Sequence, residues 1–271
     1  MKRNIKVGNT LREITSDDTY LTHVGDVFEP DMTAVFRALI DPQMTVADVG
    51  GNIGMTALLF SELARHVYAF EPGRSTFGIL RGNTDGIANI EPVNIGMGER
   101  CENQTLTFAT SNRSGGFVSN DIKLSNASHT TEEIRIETLD SFFFNRPVRP
   151  DFIKMDVEGF EPAVLRGAHA LIAQQKPTVV LELNHFCLNV MQRVSLPDFF
   201  DQLRALFPVL LAVDTGNTRL ANLHESEAAY MVMHNHATRF AFPNIVAGFS
   251  DGIHRKMQDV VALATSAPKG A

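Results

Sequence analysis

Residues 45–54 read Thr-Val-Ala-Asp-Val-Gly-Gly-Asn-Ile-Gly. The run 46–49 is short and apolar apart from Asp48, the pattern of a strand buried on both faces of a parallel sheet. Gly50, Gly51, Asn52 and Gly54 then lead into Met55, Leu58, Leu59 and Leu63, which recur at helical spacing. A strand, a glycine turn and a helix start make a site for a nucleotide-like ligand. Glycine lets backbone N–H groups come close, and the helix start favours negative charge such as a carboxylate. A fold that holds a pyrophosphate wants G-x-G-x-x-G. Here the small residues fall at 50, 52 and 54, a tighter spacing that suits a ligand without pyrophosphate, such as an amino-acid-bearing nucleoside. The same turn also serves as a plain strand-to-helix connection in any α/β protein.

The pattern continues on both sides of this stretch. Phe28-Glu29-Pro30-Asp31 opens a helix carrying Met32, Val35, Phe36, Leu39 and Ile40, and Asp41-Pro42 stops it. Residues 66–72 form a second strand ending at Glu71, residues 75–83 a helix, and residues 90–95 a third strand ending near Asn94. Alternation of this kind predicts a parallel sheet with right-handed crossovers. Between 99 and 150 it breaks: β-type segments at 104–110 and 133–138 flank a polar loop, read as an inserted hairpin or flap too short for its own core. It is either a lid or a surface excursion. A fourth strand then ends at Asp156, a helix runs from Glu161 to about Gln175, and a fifth strand ends at Glu182. A helix follows from Ser195, then strands at 209–213 and 228–233 with a turn at 214–217, and a partly helical tail at 250–271 whose last residues, from 266, fray. One domain over 1–271 is expected, with 1–44 as an N-terminal cap region.

At 271 residues, 44% hydrophobic and 20% charged, the chain can bury a sizeable core. A net charge of −7 with no basic run argues against a nucleic-acid or anionic-membrane partner. Cys101 and Cys187 lack metal-type spacing and imply no disulfide framework. No apolar run reaches the length of a membrane helix, and no secretory leader is read at the start, so a cytoplasmic protein is expected.

Four predicted parallel strands therefore end in acids: Asp48, Glu71, Asp156 and Glu182. Ligands of open α/β sheets bind outside the carboxyl ends of strands, where strand order reverses. Glu71 would accept hydrogen bonds from both ribose hydroxyls of a nucleoside. Asp48 would receive a ligand ammonium or brace the turn, and Asn94 would serve the adenine side. Each acid has a plainer reading as a cap or a solvated strand end.

DVGGNIG (48–54), AFEP (69–72), ETLD (137–140), FIKMDVEGFEPAVLRGA (152–168) and PTVVLELN (177–184) resemble FkbM-type methyltransferases over roughly residues 28–184. The K-x-D-x-E-G strand end followed by V-L-x-G-A is the most specific part, and Gly51 departs mildly from the common pattern. The resemblance implies a Rossmann-like class I fold: a mostly parallel seven-stranded sheet with helices on both faces and the inserted flap. It implies S-adenosylmethionine as cofactor, surrounded by Asp48, Gly50, Asn52, Gly54 and Glu71. It further implies O-methylation of a sugar or other small hydroxylated acceptor at the fourth and fifth strand ends.

An aliphatic hydroxyl needs a general base or a metal to react. Asp156 and Glu158 are candidate bases and His185 an alternative. Asp156 with Glu182, joined by Asn184 or His185, is a candidate Mg²⁺ site, since hard oxygen ligands suit that ion. Both readings use the same residues and stay open, with acid–base slightly favoured. Lys154 is read as orienting or structural. His224, His234 and His236 are read as solvated or core residues ahead of a metal site, and Phe142, Phe143, Phe144 and Met191 as packing. Two rivals remain: an NAD(P)-dependent oxidoreductase on a similar fold, and a non-catalytic module that binds an adenosyl ligand.

Overall fold

A computed structural model describes residues 1–119 and 121–266. The hairpin β1 (Lys2–Val7) and β2 (Thr10–Thr15) precedes α1 (Pro30–Leu39), which starts on proline at its first turn as the sequence suggests. The core then alternates: β3 (Thr45–Val49), α2 (Met55–Leu63), β4 (His66–Phe70), α3 (Arg74–Asn83) and β5 (Ile90–Val93). Next come β6 (Gly96–Met97), β7 (Glu102–Ala109), β8 (Phe117–Val118), β9 (His129–Glu137) and α4 (Leu139–Phe144). The alternation resumes with β10 (Phe152–Met155), α5 (Glu161–Arg166), α6 (His169–Gln175) and β11 (Thr178–Glu182). The last part holds α7 (His185–Gln192), α8 (Leu196–Leu206), β12 (Val209–Val213), β13 (Leu220–Asn222), α9 (Ser226–Arg239), β14 (Asn244–Gly248) and α10 (Gly252–Ser266).

The main sheet has eight strands, in the order β13-β12-β14-β11-β10-β3-β4-β5, not seven. β11, β10, β3, β4 and β5 run parallel, while β14, β12 and β13 pair antiparallel, so the sheet is mixed at one end. All five residues of β3 are buried, Thr45 and Asp48 included, as befits a strand covered on both faces. Helices cover both faces. On one, Phe36, Phe60 and Phe152 meet edge to face with centroids 4.9–6.1 Å apart, joining α1 and α2 to β10. On the other, Phe142 and Phe143 of α4 pack edge-on against Tyr68 and Phe70 of β4. Each such pair contributes about 0.5–1.5 kcal/mol beyond its burial. Strand order reverses between β3 and β10, whose carboxyl ends therefore flank the crevice.

Three expectations need correction. Residues 228–233 lie in α9, not a strand, because Ala229, Val232 and His236 bury one helical stripe; the strands beside β12 are β13 and β14, at 220–222 and 244–248. The expected helix from Glu161 to Gln175 is two helices, broken at Gly167. A side chain at Gly167 would meet the Gly98 carbonyl oxygen at 1.9 Å. The 99–150 insert is more than a hairpin: its β9, β7 and β8 join β6, just before it, in a second sheet with its own buried cluster of Leu106, Phe108, Val118, Ile134 and Ile136. The fraying expected from 266 onward lies, beyond Ser266, outside the described residues. Among the described residues no helix is long and apolar enough to cross a membrane, and Cys101 and Cys187 are free.

Candidate active site

The glycine turn is built by backbone geometry. Gly50, Asn52 and Gly54 all have positive φ, at 84°, 47° and 94°. A side chain at Gly50 would sit 1.9 Å from the Asp156 carbonyl oxygen, so only glycine lets β3 and β10 approach this closely. Gly50 and Gly51 both donate their N–H groups to the Phe70 carbonyl, pinning the turn to the end of β4.

Glu71, next along β4, is buried. Its carboxylate oxygens accept one backbone N–H each: Asn52 at 3.1 Å and Gly73 at 3.0 Å. Burial pushes its pKa up to about 8, against the pull of those two donors. Gly50, Asn52 and Glu71 line one cavity, together with Asp156 and Glu158. Its roof is the insert: Leu106, Phe108, Val118, Ile134 and Ile136 face into it, so the apolar cluster of the flap is the ceiling of the site.

Asp48 and Gly54 stand outside this lining. Asp48 is wholly buried beneath the turn, 3.5 Å from Lys154 Nζ, and burial raises its pKa ahead of the opposing pull of that ammonium. Gly54 faces Thr84 and Leu80 of the α3 region and starts α2. Asn94 donates to the carbonyls of Glu71 and Pro72, so its amide holds the strand end in shape.

At the other lip, Asp156, Glu158 and Glu182 bring carboxylate oxygens within 4.8 Å of one another. Glu158 sits at φ 52°, and its Oε2 receives Asn184 Nδ2 at 3.3 Å and Cys187 Sγ at 3.4 Å. Burial, then the charge of Asp156, lifts its pKa to about 7. Glu182 is driven up strongly by burial and then by Asp156, Glu158 and Glu161, and its Oε2 is buried without a partner. Glu161, read from sequence only as a helix opener, is a fourth acid here and, unlike the partly exposed trio, fully buried. Its Oε1 accepts the Val157 N–H at 3.0 Å, and burial raises its pKa to about 8. Asp156 also lines a second cavity on the far side of β10, shared with Glu29, Lys154, Glu182 and Asn244.

His185 is placed elsewhere. It lines a separate cavity with Asn189, Ser195, Tyr230 and His234, and its ring packs on His236 and Phe240. His236 is a core residue, as read, and His224 bonds the Phe207 carbonyl. Phe143 is buried but Phe144 is exposed.

Sequence reading missed the lining residues of the flap, such as Arg113, Ser114, Gly116 and Val118, as well as Thr76, Gly96, Met97 and Phe160 outside it. No local motif marks the flap residues, because their position depends on how the second sheet folds back over the first.

Residues 48–212 match the methyltransferase FkbM domain, well over half of the chain. A curated relative, Methyltransferase 1 of Beauveria bassiana, is 28% identical over 142 residues, which is 45% of this chain and 57% of that protein. Among solved structures, an FkbM methyltransferase from Methylobacillus flagellatus aligns at 20% identity and a TM-score of 0.45, over 65% of this chain and 41% of that one. An rRNA methylase from Streptococcus thermophilus aligns at 12% identity and a TM-score of 0.44, over 81% and 95%. The chain thus spans little more than half the length of the curated relative. From the Asp48 strand end, through the Lys154–Glu158 motif, to β12, the chain belongs to the FkbM methyltransferase family.

Proposed function

We propose that the protein transfers the methyl group of S-adenosylmethionine to a hydroxyl of a small acceptor such as a sugar or another hydroxylated metabolite. The observation that carries this reading is Glu71: each of its oxygens accepts one backbone N–H and keeps lone pairs for a ribose diol inside the cavity shared with the glycine turn. Gly50 fits the same ligand, since a side chain there would fill the space against Asp156. S-adenosylmethionine, when bound, supplies an already activated methyl on a sulfonium.

What remains for the protein is to align the acceptor oxygen and take its proton. Glu158, with a pKa near neutrality, is suited to receive that proton as the new C–O bond forms and the C–S bond breaks. Asp156, shared by both cavities, is placed to hold the acceptor hydroxyl. The apolar roof excludes water from the reacting atoms.

A second reading of the acidic trio is a Mg²⁺ site. The all-oxygen donor set suits the ion, and the unpartnered Glu182 Oε2 supports it. Asp156, Glu158 and Glu182 would hold the metal, which would lower the pKa of a bound acceptor hydroxyl.

Thermal unfolding with S-adenosylmethionine, S-adenosylhomocysteine or NAD, each with Mg²⁺ or EDTA, tests both readings. A ligand at about 100 times its Kd stabilises by roughly 2.7 kcal/mol. Stabilisation by the adenosyl compounds alone is expected. Stabilisation by NAD alone would sink the methyltransferase reading in favour of an oxidoreductase. A Mg²⁺ effect that disappears in Glu182→Gln would select the metal.

A further inference from the structure

Lys154 joins the two halves of the site. It is buried, and its Nζ donates to the Gly50 carbonyl at 3.1 Å while lying 3.5 Å from Asp48 Oδ1 and 3.4 Å from Asp156 Oδ2. The peptide between Gly50 and Gly51 is therefore held at both ends. Its C=O is taken by Lys154, and its N–H by the Phe70 carbonyl at 2.8 Å. That peptide is the floor of the glycine turn, with φ 84° at Gly50. The Asp156 carboxylate, by contrast, is 44% exposed; the same ammonium is its cationic partner, while Glu158 and Glu182 bring carboxylate oxygens within 4.8 Å of it. One cation thus fixes the orientation of the turn and the direction of the acid that lines both cavities.

We propose that Lys154 is a positioning residue that points the Asp156 charge at the transferable methyl and ties it to the cofactor turn, a role beyond bracing Asp48. This rests on the methyltransferase reading above. Asp48 alone does not account for the geometry, because a lysine serving only to neutralise it would not need to reach Gly50 and Asp156 as well. Burying the cation beneath the turn makes its three contacts interdependent. Losing it would leave Asp156 free to swing into solvent and the 50–51 peptide free to rotate.

The test compares two probes, S-adenosylhomocysteine and sinefungin, which carries an ammonium-bearing carbon where the sulfur and transferable methyl would sit. Their Kd ratio reports negative charge at the methyl position. Titration calorimetry would be run on the wild type, Asp156→Asn and the double variant Asp48→Asn/Lys154→Met. The double variant removes both buried charges together, a change that is often tolerated. The wild type is expected to prefer sinefungin and Asp156→Asn to lose that preference. The double variant should match Asp156→Asn in ratio and bind S-adenosylhomocysteine about tenfold more weakly, as expected for a lost hydrogen bond to a charged group.

A double variant that keeps the wild-type ratio overturns the proposal, even if both affinities fall, since Lys154 then only stabilises. A wild type that binds both probes without preference also overturns it. A wild type that binds neither fails at the methyltransferase reading itself, a different result. Should the double variant not unfold cooperatively, Lys154→Gln in the Asp48→Asn background keeps a donor, drops the charge and is read by the same ratio.

Discussion

The Asn52 N–H donates to Glu71 Oε2 at 3.1 Å across a sequence separation of 19 residues, so the first glycine turn and the end of the second core strand form one unit. In Glu71→Gln one oxygen remains to accept a backbone N–H, but the other becomes an N–H donor, and the carboxylate that a bound ribose diol would draw into its ionised form is gone. The variant should bind S-adenosylhomocysteine roughly 10- to 100-fold more weakly, the loss of a hydrogen bond to a charged group. Because burial penalises the ionised side chain, the ligand-free variant should melt at the wild-type temperature or a few degrees higher. Calorimetry and thermal unfolding check the two arms. A large loss of stability with unchanged affinity would make Glu71 structural.

The buried acids give the protein a pH dependence of definite sign. Glu71 and Glu161 have folded pKa values of about 8 and Glu158 of about 7, all above the ordinary carboxyl value. Between the unfolded and folded values the native state holds protons that the unfolded chain has released, so stability falls as pH rises through this window. Urea unfolding at pH 5, 6.5 and 8 should show a decline on the order of a few kcal/mol, and Glu161→Gln should flatten it. A stability that rose over this range would show that these carboxyls are ionised without penalty.

Much of this was legible in the sequence because it is written locally. The apolar run before Gly50 dictates a buried parallel strand, and the acids at 71, 156 and 182 follow from strand ends. The flap roof was not legible, since Leu106, Val118 and Ile134 become neighbours only through long-range pairing of the second sheet. The misread segment 228–233 shows the limit of short apolar runs. Ala228-Ala229-Tyr230-Met231-Val232-Met233 satisfies a strand pattern as well as a helical one, and packing on β13 chose the helix. Glu161 opens α5, as its place before Pro162 predicts, but nothing in its local sequence shows that its carboxyl is buried near Glu182.

Gly50 and Gly54 both need positive φ, yet they differ in surroundings. At Gly50 a new side chain meets backbone at 1.9 Å; at Gly54 it meets Thr84 Cγ2 at 3.1 Å, a group that can shift. Gly54→Ala should therefore cost about 1–2 kcal/mol, the strain of the left-handed backbone. Gly50→Ala should cost more than about 3 kcal/mol and abolish adenosyl binding, because β3 and β10 must move apart. Urea midpoints would rank the two, and equal costs would mean that the crevice is looser than its geometry.

The flap is hydrogen-bonded to the rest of the fold on two sides, and each side can be weakened separately. Arg113 donates its backbone N–H to Asp18 Oδ2 at 2.9 Å and Thr19 donates to the Ser111 carbonyl at 2.9 Å; opposite, Gln192 donates to the Val118 carbonyl at 2.6 Å and Ser119 to the Met191 carbonyl at 2.8 Å. Asp18 also accepts the Ser16 hydroxyl at 2.6 Å and the Tyr20 N–H; against the upward push of burial, the Ser16 hydroxyl first and then the Arg113 and Tyr20 N–H groups hold its carboxyl below the usual range. Asp18→Ala thus removes a charged acceptor from the latch without touching the glycine turn or Glu71. Of the bonds that Asp18 accepts, the one from the Arg113 N–H reaches the flap, and its loss, about 1.5–3 kcal/mol, should raise S-adenosylhomocysteine dissociation roughly tenfold or more. Proteolysis near residues 111–116 should accelerate in the same proportion, and Gln192→Ala should act on the opposite side of the flap. Stopped-flow displacement together with limited proteolysis measures both effects. If dissociation is unchanged while cleavage rises, the cofactor leaves by a path that the flap does not cover.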